Sequence, residues 1–586
     1  MKKITFLAIF MVLSLLAAGA AGLSGVYKVG VSETAPNFSS LNAAFEALNT
    51  QGLTGNVVLE ITSDITEAAN IGLGVNTGGF SIIIRPDADA DRTVTFTQLT
   101  DNTSPTGHLV IGYPTAGLTQ AWADANTIGT DNVTIDGYAV GGTTRRLTFT
   151  NTNASHTGAR VIVVVGDCEN VTIRNCNVIN NTTSTSSPFC VGAVVRKGTA
   201  IEVGPTNLTF ENNVLTALGN NVAMGSRITN SGTLTTVKAT NVVYKNNIIQ
   251  ARRRLIEVNY TNNMLVEGNE FIQDQTGAAG TISYGLWTSS GVTGTVNILN
   301  NKFIRSTTEE VSGNGHRTVS LSSGATYNVF NNTFAGMDKT KPSTTATNLV
   351  YLFYSGVAGK IYNNTFYMPQ LTDPSSTGYY AAIQLSGNTA EIKNNIFMSN
   401  ESTHSNAYFI SAVPTPESDF NRFYTLPSNS THKYVAAFLS LTDYQEANPT
   451  KDISSKVVNV TFENAAAGNL LLAGESVQDA NLAVARLSDV SKDILGTDRS
   501  ELTYAGAHEA KLPFISTHNP AVEQTARILR TPEGVLIELD SEALIEIYAM
   551  NGAKIESVRT SGSYTKDLEK GIYIIRINGV GTKFMK

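Results

Sequence analysis

Short runs along the chain alternate apolar and polar residues with a period of two, as in Val171-Thr172-Ile173, Leu208-Thr209-Phe210, Val296-Asn297-Ile298 and Glu391-Ile392. Such alternation, rich in β-branched residues, predicts strands and not helices. Each run leads into paired Asn followed by an aromatic: Asn300-Asn301-Lys302-Phe303, Asn331-Asn332-Thr333-Phe334, Asn363-Asn364-Thr365-Phe366 and Asn394-Asn395-Ile396-Phe397. The first Asn recurs at intervals of 31, 32 and 31 residues, the range of a solenoid repeat. Weaker copies at Asn246-Asn247-Ile248-Ile249, Asn212-Asn213-Val214-Leu215 and Asn175-Cys176-Asn177-Val178 extend the series upstream, and Gly268-Asn269-Glu270-Phe271 arrives early. The early copy predicts one short coil.

Asn tolerates left-handed backbone angles and bonds local backbone groups, so the pair predicts a sharp corner, after which Phe or Ile turns inward again. A second strand precedes each phrase, at residues 255–258, 317–321, 349–353 and 380–385, mostly closed by Gly or Ser-Gly. One coil therefore reads strand, turn, strand, Asn corner, strand and a variable outer loop. This predicts an all-β right-handed parallel β-helix, with equivalent Asn residues stacked into a hydrogen-bonded ladder.

The ends depart from this pattern. Leu41, Ala44, Phe45 and Leu48 share one helical face, which predicts an N-terminal capping helix over the open first coil. Strands are expected at 57–61, 81–84 and 94–96, clear coils begin at Asn132, and Asp419-Phe420-Asn421-Arg422-Phe423 reads as a last degenerate turn. The β-helix with its cap is assigned to residues 23–424. Residues 425–512 lose the period and gain helical segments near 441–446 and 480–485, as an extension expected to pack on the C-terminal end of the solenoid. A Pro-bounded linker follows at 513–522. Alternation then returns over 523–586, with hairpin dipeptides Asn551-Gly552 and Asn578-Gly579, and predicts a small antiparallel β-sandwich.

Composition narrows the function. Of 586 residues only 15% are charged, 49 are Gly, and the net charge is −7 without any basic tail, which argues against nucleic acid as a partner. Lys2-Lys3, an apolar core over 4–16 and the small residues 17–22 read as a cleaved signal peptide, residues 1–22. No later segment is expected to cross a membrane as a helix. Cys168, Cys176 and Cys190 leave two readings open, one disulfide with a spare thiol or three buried thiols; no His stands at metal-like spacing from them.

The terminal module resembles the type A C-terminal sorting domain of the type IX secretion system of Bacteroidota. The resemblance rests on Ile547-Tyr548-Ala549-Met550-Asn551-Gly552-Ala553-Lys554, on Leu568-Glu569-Lys570-Gly571-Ile572-Tyr573-Ile574-Ile575-Arg576-Ile577, and on a basic end at Lys583 to Lys586. It implies export across both membranes, with the type IX machinery as partner, to the outer surface or the medium. The solenoid likewise resembles the secreted right-handed β-helix proteins of these bacteria, a group related in fold to pectate lyases. Asp493-Ile494-Leu495-Gly496-Thr497-Asp498-Arg499 and Ala505-Gly506-Ala507-His508-Glu509 resemble its closing segment. Such a resemblance implies architecture, not substrate.

Chemistry on this fold needs residues brought together across coils. A glycoside hydrolase needs paired carboxylates; Asp136 stands alone, and His316 lacks the accompanying acids. A lyase needs a base and a cation near the sugar α-proton, for which Arg252-Arg253-Arg254 with Glu257, and His316 with Arg317, are the candidates. Arg254 and Arg317 each lie 14 residues before the start of an Asn phrase, two coils apart, with the Trp287 coil between. Glu257, Glu267, Glu270 and Asp274 are a weak set for calcium; no other cofactor is expected. Tyr284, Trp287, Tyr351, Tyr354, Tyr379 and Tyr380 recur in equivalent strands, where outward members would stack on sugars and inward ones would fill the core. The Asn-x-Ser/Thr sequons are by-products of the Asn corner. The reading that results is a secreted or surface β-helix that binds glycan without catalysis; a polysaccharide lyase and a structural envelope protein are the alternatives.

Overall fold

The computed structural model describes residues 22–586 apart from 98–106, 114–128, 153–158, 184–187, 198–201, 220–222, 232–235, 275–281, 290, 306–314, 322–323, 336–348, 357–358, 371–378, 387–389, 403, 414, 426–430, 511–525, 532 and 551. The signal segment, the Pro-bounded linker and Asn551 thus lie outside the described residues. The rest falls into two compact units. The first runs to Leu472 and resumes over Asn481–Glu509; the second takes Ala473–Ala480 and Ala510–Lys586.

The first unit is a right-handed parallel β-helix of three sheets, each with 13 strands among the described residues. From Thr172–Arg174 to Glu391–Lys393, a strand of the first sheet, such as Ala325–Phe330, meets the Asn corner (Gly268 in one coil) and continues as a strand of the third sheet, Thr333–Phe334. An outer loop then leads to a strand of the second sheet, Leu349–Ser355. The strands pair in parallel with the next coil, so side chains of equivalent rank stand in columns.

The two Asn of the phrase do different work. The first turns the corner, with φ between 52° and 60° at Asn175, Asn212, Asn246, Asn300, Asn331, Asn363 and Asn394. Gly268 takes this place in the short coil, where an added Cβ would lie 2.3 Å from Asn246 Oδ1. The second Asn points inward. In the series Asn213, Asn247, Asn269, Asn301, Asn332, Asn364, Asn395, Asn421, each Nδ2 donates to the next Oδ1 at 2.9–3.1 Å. Each Oδ1 also accepts the backbone N–H of the preceding Asn, as at Asn301 from Asn269 (2.9 Å), and each Nδ2 reaches a carbonyl one coil back. Every amide group in this dry row is therefore satisfied. Cys176 N closes one end by donating to Asn213 Oδ1. Ser455 Oγ and Asp452 Oδ1 close the other by accepting from Asn421. The ladder runs unbroken through the short coil, whose interval is 22 residues instead of the 31 and 32 of the coils that follow.

From Asn269 on, an aromatic enters the core two residues after each ladder Asn, where Asn213 and Asn247 are followed by Leu215 and Ile249. Phe271, Phe303, Phe334, Phe366, Phe397 and Phe423 stack with centroids 4.5–5.2 Å apart and planes within 11° of parallel. A second, more exposed Asn row was not anticipated. Asn132, Asn170, Asn207, Asn241 and Asn263 all have φ of 55–60°, and each later amide donates to the one before it at 3.0–3.4 Å. It marks the entry to the first sheet.

At the N-terminus the coils begin earlier than the phrase does: Leu23–Val29, Leu53–Ile61 and Ile82–Pro86 already belong to the first sheet. The helix Leu41–Gln51 buries Leu41, Ala44, Phe45 and Leu48. Ser40 Oγ caps it by accepting from Ala43 N, and the buried Glu67 carboxylate accepts from Leu41 N and Asn42 N. A carboxylate there is favoured by the helix dipole.

Beyond 424 the second and third sheets gain Lys433–Val435 and Lys456–Val457, and a helix spans Leu441–Ala447. The helical expectation at 480–485 fails. A single 3-10 turn, Ala480–Leu482, passes into a strand, Ala483–Ala485, paired with Leu502–Tyr504. Residues 481–509 run along the flank of the solenoid instead of closing its end. Asn331 and Asn394 donate to the carbonyls of Lys492 and Ala485, and Arg499 donates to Asn331 Oδ1 and ion-pairs with Glu509 at 3.2 Å. Cys168, Cys176 and Cys190 are free and buried, and burial pushes the thiols upward.

The second unit contains a five-stranded antiparallel sheet. Its long strand Gly534–Ala549 pairs on one side with Lys554–Asp567, and on the other with Ala526–Arg530 and Ile572–Ile577. Val535, Ile537, Ile545, Ile547, Tyr573 and Ile575 join one core.

Two outcomes test this account. Asn301→Ala strands two donors of Asn269 and should lower stability by about 2–4 kcal/mol in guanidinium unfolding, whereas Asn300→Gly should change it by less than ~0.5 kcal/mol; equal losses would refute the division of labour. His432, against Phe409 (centroids 4.3 Å), is held down to about 3 by burial. Its folded value lies below the unfolded one, so protons bind the unfolded chain first and stability falls as pH drops from about 6.5 toward 3. His432→Phe should flatten that part of the pH–stability curve.

Candidate functional site

The second sheet carries the chemistry on its outer face. Its strands bend so that two successive residues enter the core: Leu255 and Ile256, Leu352 and Phe353, Ala382 and Ile383. Residues three apart then both face out. Register places Arg254, Tyr284, Arg317, Tyr351 and Ala381 in one column and Glu257, Trp287, Ser320, Tyr354 and Gln384 in its neighbour.

Within these columns cations and aromatics alternate coil by coil. The Arg254 guanidinium lies 4.4 Å from the Trp287 ring centroid and 5.8 Å from that of Tyr284. Arg317 repeats this two coils on, 4.2 Å from Tyr354 and 5.8 Å from Tyr351. The aromatics are themselves paired, Tyr284 with Trp287 at 4.7 Å and Tyr351 with Tyr354 at 5.8 Å, with planes 11° and 21° apart. Desolvated contacts of this kind are worth on the order of 1–2 kcal/mol each. Burial pushes the Tyr351 hydroxyl up to about 12, against the opposing pull of Arg317.

Glu257 is nearly buried between two arginines. One oxygen pairs with Arg227 at 3.3 Å and the other with Arg254. Both its oxygens are thereby engaged. Arg317 has no carboxylate partner among the described residues, and the Nε atoms of Arg227, Arg254 and Arg317 are buried without an acceptor. Farther along, Arg160 lies over Phe189 (5.3 Å) and Lys433 over Tyr408 (4.5 Å), with burial drawing Arg160 down to about 10.

Two sequence candidates fall on the wrong side of the strand. His316 is buried, its Nδ1 2.8 Å from Ser283 Oγ and its Nε2 2.9 Å from Thr318 Oγ1. Tyr380 is wholly in the core and donates to the Pro369 carbonyl at 2.9 Å. Register aligns both with Val350, one residue from the outward column, and a one-residue step reverses the face. Of the acids considered for calcium, Glu257, Glu267 and Glu270 belong to the second, first and third sheets. Among the described residues no group of acidic, His or Cys side chains is arranged to hold a metal.

Arg227 was missed because only the register brings it beside Glu257. The short coil sharpens the site: two residues, Arg252 and Arg253, separate its third-sheet strand, ending at Ala251, from Arg254, where the next coil spends nine. Elsewhere, a shallow depression over the first sheet, between Asn241 and Asn297, has no aromatic or ionisable lining.

No protein-family model matches the chain, and no curated protein matches it. Among solved structures it is similar to a pectate lyase at 12% identity (TM-score 0.38; 84% of this chain, 98% of that one). It is also similar to a surface adhesin of Streptococcus pneumoniae at 13% (TM-score 0.32; 67% and 87%) and a rhamnogalacturonan lyase at 12% (TM-score 0.32; 86% and 98%).

Proposed function

We propose that this is a secreted or cell-surface protein whose second sheet binds polysaccharide without cleaving it. The observation that carries the reading is the repeated stack of a guanidinium on an aromatic pair, Arg254 on Tyr284 and Trp287, then Arg317 on Tyr351 and Tyr354. Trp287 and Tyr354 stay partly exposed on the outer face, with Tyr284 and Tyr351 buried against them; exposed rings suit the apolar faces of sugars, and guanidinium groups supply donors to their oxygens. Binding is favoured over lyase chemistry because the one acid in these columns, Glu257, is clamped by Arg227 and Arg254. His316 is turned away from Arg317 and bonded to Ser283 and Thr318, so it is not placed as a base beside that cation.

Export follows, in this proposal, from the N-terminal signal pattern and the C-terminal sorting-domain motif, with the type IX secretion machinery as partner and the outer surface or the medium as destination. The compactness of the second unit supports a module recognised in folded form.

In a glycan-binding screen of the full chain, Trp287→Ala and Tyr354→Ala should each weaken the best interaction roughly tenfold, and Tyr380→Phe should leave it unchanged. No binding across a wide panel would favour the structural role, and unsaturated ultraviolet-absorbing products from a uronate glycan would establish the lyase. For export, deletion of residues 544–586 should trap the protein in the periplasm; continued surface display would contradict the sorting assignment.

A further inference from the structure

The two Arg–aromatic stacks share one arrangement two coils apart, although the aromatic pairs lie 4.7 and 5.8 Å apart and only Arg254 has a carboxylate partner, Glu257. Arg254, Tyr284, Arg317 and Tyr351 occupy successive coils of one column, so guanidinium and aromatic pair alternate strictly, and the two sets of contact distances agree within 0.2 Å. Parallel strands lie about 4.8 Å apart, which sets the module repeat at roughly 10 Å. A glycan chain of equatorially linked pyranoses advances by close to one strand spacing per ring. Two rings therefore match one module: one ring faces a guanidinium, the next faces an aromatic pair.

Charge points the same way. The chain carries a net charge of −7, yet Arg227, Arg254 and Arg317 stand in these columns against Glu257 alone. Arg317 is partly exposed and has no carboxylate partner among the described residues, so its charge is not offset by a neighbouring acid. A ligand oxygen carrying negative charge is the acceptor that suits a guanidinium best.

From this, and resting on the polysaccharide-binding reading above, the geometry points to a ligand class: an acidic polysaccharide of alternating disaccharide repeat, with one anionic group, carboxylate or sulfate, on every second sugar. A chain charged on every sugar would press an anion against the partly exposed rings of Trp287 and Tyr354. A neutral chain would leave the guanidinium groups without a charged acceptor.

The test is retention of the full chain by four polysaccharides at matched length. Hyaluronan has one carboxylate per disaccharide, kappa-carrageenan one sulfate per disaccharide, the equatorially linked polymannuronate one carboxylate per sugar, and agarose none. At least one alternating polyanion should bind roughly tenfold tighter than both polymannuronate and agarose, the tighter of the two naming the anion. Arg254→Gln and Arg317→Gln should each cost roughly fivefold and weaken the salt dependence. Arg317→Lys should recover part of the loss, and Lys245→Gln on the first sheet should have no effect, with circular dichroism confirming each fold. Polymannuronate or agarose binding as tightly as the alternating chains, or glutamine variants binding normally, would overturn the alternation while leaving polysaccharide binding in place. Absence of binding to any polysaccharide would instead remove the reading on which it rests.

Discussion

Parallel strands stacked at a spacing of about 4.8 Å impose the constraint from which the rest of this molecule follows. At that spacing equivalent residues of successive coils touch, so whatever one coil presents the next must complement. An inward Asn survives only because its amide is both donor and acceptor and can bond its own likeness; eight of them in series leave none of their own amide groups unmet. The Phe row accepts near face-to-face stacking, which isolated rings disfavour, because the backbone lattice sets the distance.

The same constraint acts on the outer face with a different result. There the columns are mixed, and cations lie against aromatics from coil to coil. Like charges on adjacent coils would repel at this distance, whereas a guanidinium over a ring is attracted. The short coil belongs to this picture: with two residues in place of a loop, it brings Arg254 into the column without breaking the inner ladder, since Gly268 turns the corner where Asn would crowd Asn246.

The flanking segment 481–509 is held by a buried charge pair that is fully bonded. Arg499 donates to Asn331, to the carbonyls of Tyr504 and Gly506, and to Glu509, and Asp493 accepts from Leu495, Thr497 and Glu509 N–H groups. An ion pair removed from water needs such satisfaction to be tolerated. It engages the corner-turning Asn, not the ladder Asn, so one phrase serves the core with one amide and the flank with the other.

By itself the sequence determined the coil. Asn-Asn-x-Phe carries the corner, the ladder and the aromatic row in four residues, because each depends only on local backbone geometry and on repetition of the same phrase. The earliest coils were less legible, since they turn without it, and the second Asn row was hidden by single Asn residues that no phrase announces. The columns of the outer face lay still further from view. His316 and Arg317 are neighbours in sequence and opposites in space; Arg227 and Glu257 are 30 residues apart and bonded. Only the tertiary structure decided these, because a strand bend that turns two successive residues inward resets which side chains face out, and register, not proximity along the chain, sets which of them meet. The placement of Arg499 against Asn331, 168 residues away, was likewise settled by packing that no local pattern encodes.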